Sequence, residues 1–250
     1  MSHETMKNHF AQLARSYDEL RNPDKALAER VEMLVATGDL RGRHTLDIGC
    51  GTGRILAMLA RDYCVHGWGI DASSEMLAIA RAKLPEHINV QQATAESLPF
   101  PDQFFERAYM TMVVHLLDRP RAFAESSRVL QPGGRFTIIT INPDSLAESW
   151  LASLFPSYLG IDFARFPSGR TLAQELAESG FTKCQQVIVS SARSFSKADT
   201  LNKLRRRFIS TLSLLPEEEF RAGLIRAERE LPDQGEYTVS SLLVSAQTTG

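Results

Sequence analysis

From residue 44 onward the apolar positions fall into short runs separated by amphipathic stretches. The runs at 44–48, 64–70, 88–94, 105–110 and 135–141 read as strands. Between them, 54–61, 74–84 and 121–130 carry helical spacing. Ser73 stands as N-cap of the second of these helices, with Glu75 in its positive first turn. The third stops at Gln131-Pro132-Gly133-Gly134, a turn that no helix continues through. Strands alternating with helices predict right-handed crossovers and a parallel, doubly wound α/β sheet.

Outside this core the rhythm changes. Two amphipathic helices open the chain, the first over 4–20 and the second from Asn22-Pro23 to about Gly38. Residues 142–166 are aromatic and proline-punctuated, which predicts short helices in an irregular segment. A helix over 171–179 ends at Gly180, and 181–190 and 236–246 alternate as strands. Between those two strands, 197–231 reads as a helical pair broken at Pro216. Residues 1–40, 142–166 and 197–231 are expected to form a helical cap over one end of the sheet.

The 250 residues suit one domain. A net charge of -2 supplies no field for nucleic acid or an anionic membrane. No apolar run approaches the length of a membrane span, and MSHETMKNHF has no apolar signal core, so a cytoplasmic protein is expected. Cys50, Cys64 and Cys184 are odd in number and lack CxxC spacing, which predicts reduced thiols rather than disulfides or a metal knot.

The chemistry concentrates in Leu46-Asp47-Ile48-Gly49-Cys50-Gly51-Thr52-Gly53, a glycine-rich turn after a strand and before a helix. Its glycines allow close backbone approach to a ligand, and the helix start supplies N–H donors for a carboxylate or phosphate. Arg54 stands where a nucleotide-binding dehydrogenase would carry its third glycine. Asp71 ends the second strand about 20 residues beyond the middle glycine, where a doubly wound fold presents a carboxylate to a ribose. It could alternatively assist the cap of the following helix.

Together with Gly69-Ile70-Asp71-Ala72-Ser73-Ser74-Glu75-Met76-Leu77, Ala93-Thr94-Ala95-Glu96-Ser97-Leu98-Pro99-Phe100 and Arg128-Val129-Leu130-Gln131-Pro132-Gly133-Gly134, this turn gives a resemblance. The chain resembles the class I S-adenosylmethionine-dependent methyltransferases, in particular the group that includes the ubiquinone and menaquinone biosynthesis enzymes. The resemblance spans roughly residues 46–141. It implies a Rossmann-like, seven-stranded sheet with an antiparallel last strand, a single methyltransferase domain with its cofactor-binding core at 44–141, and S-adenosyl-L-methionine as cofactor. It further implies that Asp47 and the backbone of Gly49, Cys50 and Gly51 hold the methionine part. Asp71 takes the ribose hydroxyls, and Ala72 and Met76 flank the adenine. Thr94, Ala95 and Glu96 lie along the adenine edge, with the Ala95 backbone meeting it. Met110 lines the path to the reactive methyl, and Tyr17 of the amino-terminal helix closes over the cofactor or packs as core. Thr94 departs from the family, which places Asp there and so forms a charge-assisted bond to the adenine amino group.

The sulfonium is already activated, so catalysis needs mainly alignment of the acceptor, with a base only where the acceptor must lose a proton. His115 is the candidate base, or else a structural histidine bonded to backbone. Phe155, Tyr158, Phe163 and Phe166 either wall an acceptor pocket or form the cap's own core. Arg205-Arg206-Arg207 cannot share one helix face and read as solvated. Met110-Thr111-Met112-Val113 is not the Asp/Asn-Pro-Pro-aromatic loop of amide-polarising nucleic-acid and protein methyltransferases. The scattered cysteines are not the clustered thiolates that arsenic methylation needs. A small-molecule methyl acceptor is therefore expected, with no nucleic acid and no membrane span. A cofactor-binding protein without turnover is the alternative.

Overall fold

The computed structural model describes residues 3–21 and 24–249, so the helix signal at Asn22-Pro23 lies outside the described residues. Two helices, α1 (His3–Leu20) and α2 (Asp24–Gly38), precede β1 (His44–Ile48). The alternation then runs α3 (Arg54–Tyr63), β2 (His66–Asp71), α4 (Ser74–Lys83), β3 (Asn89–Gln92), β4 (Phe105–Thr111), α5 (Arg119–Val129) and β5 (Leu130–Ile141). Short helices α6 (Trp150–Leu154) and α7 (Tyr158–Arg165) lead to α8 (Gly169–Glu178) and β6 (Phe181–Ser196). The pair α9 (Lys197–Arg205) and α10 (Glu217–Glu230) separates β6 from β7 (Gln234–Thr248). No helix among the described residues is long and apolar enough to cross a membrane.

The seven strands form one sheet in the order β3-β2-β1-β4-β5-β7-β6. Strands β1 to β5 run parallel to one another. Strand β7 is antiparallel: Thr182 of β6 bonds Gln247 while Ser190 meets Ser240, so one strand advances as the other retreats.

Three local features depart from the sequence pattern. Cys64, expected to open the second strand, instead closes α3 in a left-handed conformation (φ 54) that bonds back to Leu59. The strand therefore starts at His66. Residues 131–134, expected as a turn, are absorbed into β5 as a bulge. Phe105 pairs with Leu130 but Arg107 pairs with Arg135, and Gly133 takes φ +72 within the extra length. Finally, β6 runs six residues beyond the expected 181–190, to Ser196, while β7 exceeds 236–246 by two residues at each end.

Two compact units share this chain. The first comprises residues 1–140, 169–187 and 242–250. Its main core packs Phe123 of α5 and Leu172 and Leu176 of α8 against Ile48, Met110, Phe136 and Ile138. The alternate strand residues face the other way, where Leu56 of α3 lies over Gly67 and Gly38 of α2 approaches Thr137. The second unit comprises residues 141–168 and 188–241, and so includes both 142–166 and 197–231. It has a separate core in which Phe155 stacks on Phe220 at 6.1 Å, beside Leu154, Tyr158 and Leu204. Within it, buried Asp162 accepts from the Thr211 hydroxyl at 2.7 Å. Phe155 and Tyr158 thus serve that core, whereas Phe163 is exposed. Of the run expected to be solvated, Arg205 pairs on the surface with Glu228, whereas Arg207 is half-buried over the Phe220 ring at 3.6 Å and pairs with Glu217.

Candidate active site

Parallel strands end at one edge of a sheet, so β1, β2 and β4 deliver the loops that follow them to one place. Gly49 opens the turn after β1 at φ +80, and a Cβ there would lie 2.9 Å from Val113 Cγ2. Only glycine satisfies both the conformation and the approach. The N–H groups of Gly49 and Cys50 donate to the Ile70 carbonyl at 2.8 and 2.9 Å. That of Gly51 donates to Asp71 Oδ2 at 2.9 Å. The three donors assigned from sequence to a ligand are thus engaged with β2, and they fix the loop's shape.

Asp71 receives a second bond, from the Ser73 N–H to Oδ1 at 2.9 Å. Burial pushes its carboxyl above the usual range, while the Ser73 and Gly51 N–H groups pull it back. It does assist the turn into α4, yet each oxygen keeps lone-pair capacity for a further hydroxyl donor. The turn therefore leaves acceptor capacity on both oxygens.

Asp47 is 1% exposed, and Tyr109, its register partner on β4, is fully buried. The Tyr109 hydroxyl donates to Asp47 Oδ2 at 2.9 Å, and Oδ1 is buried with no partner. Burial pushes the Asp47 carboxyl up to about 8, opposed by the Tyr109 bond and reinforced by the charge of Asp71. An unpaired buried acceptor of this kind fits a cationic donor such as an ammonium group. Burial pushes the Cys50 thiol well up, so it is a packed, unreactive group.

Beyond β2, the Ser73 hydroxyl accepts from the Met76 N–H at 3.2 Å, which caps α4 and buries Met76. Ala72 is exposed, and its carbonyl accepts from Gln92 at 3.0 Å. In the loop after β3, Ala95 is buried, Thr94 is exposed, and Glu96 accepts from the Asp118 N–H at 3.0 Å. Two residues of α5 hold this loop. Arg128 donates to the Leu98 and Phe100 carbonyls at 3.0 and 2.8 Å, and Glu125 accepts from the Leu98 N–H at 2.8 Å. The paired motifs ATAESLPF and RVLQPGG are therefore mechanically one structure.

The remaining expected residues are dispersed around this edge. Met110 is fully buried in the main core with Ile48 and Ile138. His115 is half-buried in the short 3₁₀ turn Val114–Leu116, two residues past the Val113 that abuts Gly49. Tyr17 is half-buried, edge-on to Phe10 at 6.5 Å. Its neighbour Asp18 reaches the glycine loop, accepting from the Thr52 hydroxyl and pairing with Lys83 of α4. Asp18, Tyr109, Glu125 and Arg128 were not singled out by sequence reasoning. Arg128 stood inside the RVLQPGG motif, and Asp18 at the end of the segment 10–18 that resembles the family's amino-terminal helix.

Comparison with known proteins agrees with this arrangement. The family described as Methyltransferase domain matches residues 46–138. The O-methyltransferase cnsE of Penicillium expansum is 33% identical over 217 residues, covering 79% of this chain and 76% of that protein. Among solved structures, the YcgJ protein of Bacillus subtilis superimposes with a TM-score of 0.62 at 20% identity, covering 89% of this chain and 99% of that one. Geranyl diphosphate C-methyltransferase of Streptomyces coelicolor, in complex with Mg2+, geranyl diphosphate and S-adenosyl-L-homocysteine, gives 0.58 at 19% identity, covering 89% and 79%. The shared fold, the matched domain and the extended relative establish that this chain belongs to the class I S-adenosyl-L-methionine-dependent methyltransferases, and that it methylates a small molecule.

Proposed function

We propose that the chain is an O-methyltransferase whose acceptor is a hydroxylated small molecule, with His115 as the base that takes the hydroxyl proton. The contact of Val113 with Gly49 carries the reading: the turn bearing His115 is packed against the loop that shapes the cofactor site. The 33% identity to an O-methyltransferase supports oxygen as the methylated atom.

The bound cofactor supplies an electrophilic methyl group on a sulfonium. In this reading the two oxygens of Asp71 accept from the ribose hydroxyls while keeping their bonds to Gly51 and Ser73. Asp47 offers Oδ1 to the cofactor's ammonium group. Ala72 and buried Met76 border the adenine, and the loop through Thr94, Ala95 and Glu96 borders its edge. Tyr17 would close over the cofactor, and Met110 would line the path toward the reactive methyl. Holding acceptor and methyl in line contributes about 7–11 kcal/mol of barrier reduction. His115 then has only to receive a proton as the oxygen attacks. A net charge of -2 favours a free small molecule over nucleic acid, and the three unpaired thiols favour a cytoplasmic setting.

One experiment tests the reading. Calorimetric titration with S-adenosyl-L-homocysteine is expected to give micromolar binding that Asp71→Ala abolishes. Assay of a phenol and enol panel should then give turnover that His115→Gln lowers by about 10²-fold or more without weakening cofactor binding. Cofactor binding with no turnover on any acceptor would favour a regulator over an enzyme. Full activity of His115→Gln would remove the histidine from the mechanism.

A further inference from the structure

The buried hydroxyl of Tyr109 has no role in packing. A phenylalanine would fill the same space in β4 with no polar atom to satisfy. The strand register sets Tyr109 directly beside Asp47, and the hydroxyl spends its proton on Asp47 Oδ2 at 2.9 Å. The other oxygen, Oδ1, is buried and unpartnered. A carboxyl group held by one oxygen and open at the other is a fixed, one-sided acceptor.

We infer that Tyr109 is a positioning residue for the cofactor: it pins Oδ2 of Asp47 and so commits Oδ1 to the cofactor's ammonium group. This rests on the role given to Asp47 above. Tyr109 does not touch the cofactor; it acts through the carboxylate. The bond also favours the ionised form of Asp47, because a donated hydrogen bond stabilises the charge that burial penalises. The titratable groups facing Asp47 are Tyr109 on β4, Asp71 at the end of β2 and the Cys50 thiol in the loop. Asp71 disfavours a second negative charge, and the Cys50 thiol, held protonated by burial, adds none. Tyr109 is thus the neighbour whose hydrogen bond works toward ionisation until a cation arrives.

Two consequences follow for binding. The ammonium group pairs with the ionised carboxylate, so affinity rises with pH until Asp47 is fully ionised, and binding below that point expels a proton. Loss of the hydroxyl raises the carboxyl further and moves the rise to higher pH.

The test is calorimetric titration of the whole chain with S-adenosyl-L-homocysteine from about pH 6 to about pH 8.5, in buffers of different ionisation heat. Wild type, Tyr109→Phe, Asp47→Asn and the double variant are compared, each with its thermal melt. The expected result is a loss of about tenfold or more for Tyr109→Phe at pH 7, the effect of one hydrogen bond to a charged group. The pH midpoint should move up, and the same change should cost almost nothing in the Asp47→Asn background. If Tyr109→Phe does not fold, the wild-type profile alone decides: a dissociation constant flat in pH, with no proton released, overturns the inference. Wild-type binding with a folded Tyr109→Phe of unchanged affinity and profile overturns it alone. No wild-type binding overturns the cofactor roles proposed above with it.

Discussion

Thr94 is exposed at the start of the loop after β3, at the position where the resemblance implies Asp. A hydroxyl accepts a hydrogen bond without charge, so in the proposed reading its bond to the adenine amino group is the weaker kind. Thr94→Asp is therefore expected to tighten S-adenosyl-L-homocysteine severalfold, read as a lower dissociation constant. Unchanged or weaker binding would mean that the adenine edge lies elsewhere. At this scale the sequence was informative where position alone implies chemistry. Asp71 could be picked out because it ends a strand one crossover beyond a glycine turn. Tyr109 could not, because an aromatic inside an apolar strand reads as core. What distinguishes it is a hydroxyl bond to a residue 62 positions away. Asp18 escaped for the same reason: its partners Thr52 and Lys83 are distant in sequence.

Among the elements, β1 falls on the residues that its apolar run predicts, 44–48, because both of its flanks are paired and its pattern is undiluted. The junction of α5 and β5 was less legible. Pro132-Gly133-Gly134 signals a turn, yet the ladder with β4 carries the strand through it and sets the extra residues aside as a bulge. Sheet pairing overrides local turn chemistry there. The role of α5 is likewise invisible to periodicity, since it lies in side chains that leave the helix. Arg128 reaches two carbonyls of the loop after β3, and Glu125 and Asp102 keep it in place. Arg128→Met, which keeps the apolar stem, should cost about 2 kcal/mol in chemical denaturation. It should also raise KM for the cofactor, because residues 94–100 lose their anchor. A variant with wild-type KM would show that the loop holds its shape without α5.

For the whole molecule, alternation of strand and helix predicted the parallel part of the sheet and the family resemblance its antiparallel last strand, while the division into two units was not legible. Every motif of the resemblance lies in the first unit, and the second is drawn from two separate stretches. Segment composition marked those stretches as different without showing that they share a core. The three thiols of the chain also differ in setting: Cys64 and Cys184 are exposed, while Cys50 is buried in the glycine loop. The chain consequently carries its own clock for the opening of that loop. An alkylating reagent should consume two thiols at once and the third only as fast as the loop opens. Saturation with S-adenosyl-L-homocysteine at about 100 times its dissociation constant should slow that third event about a hundredfold, the factor by which a ligand suppresses any state unable to bind it. Mass spectrometry would read the order of labelling, and a Cys50 that reacts as fast as Cys64 would mean that the loop opens without unfolding.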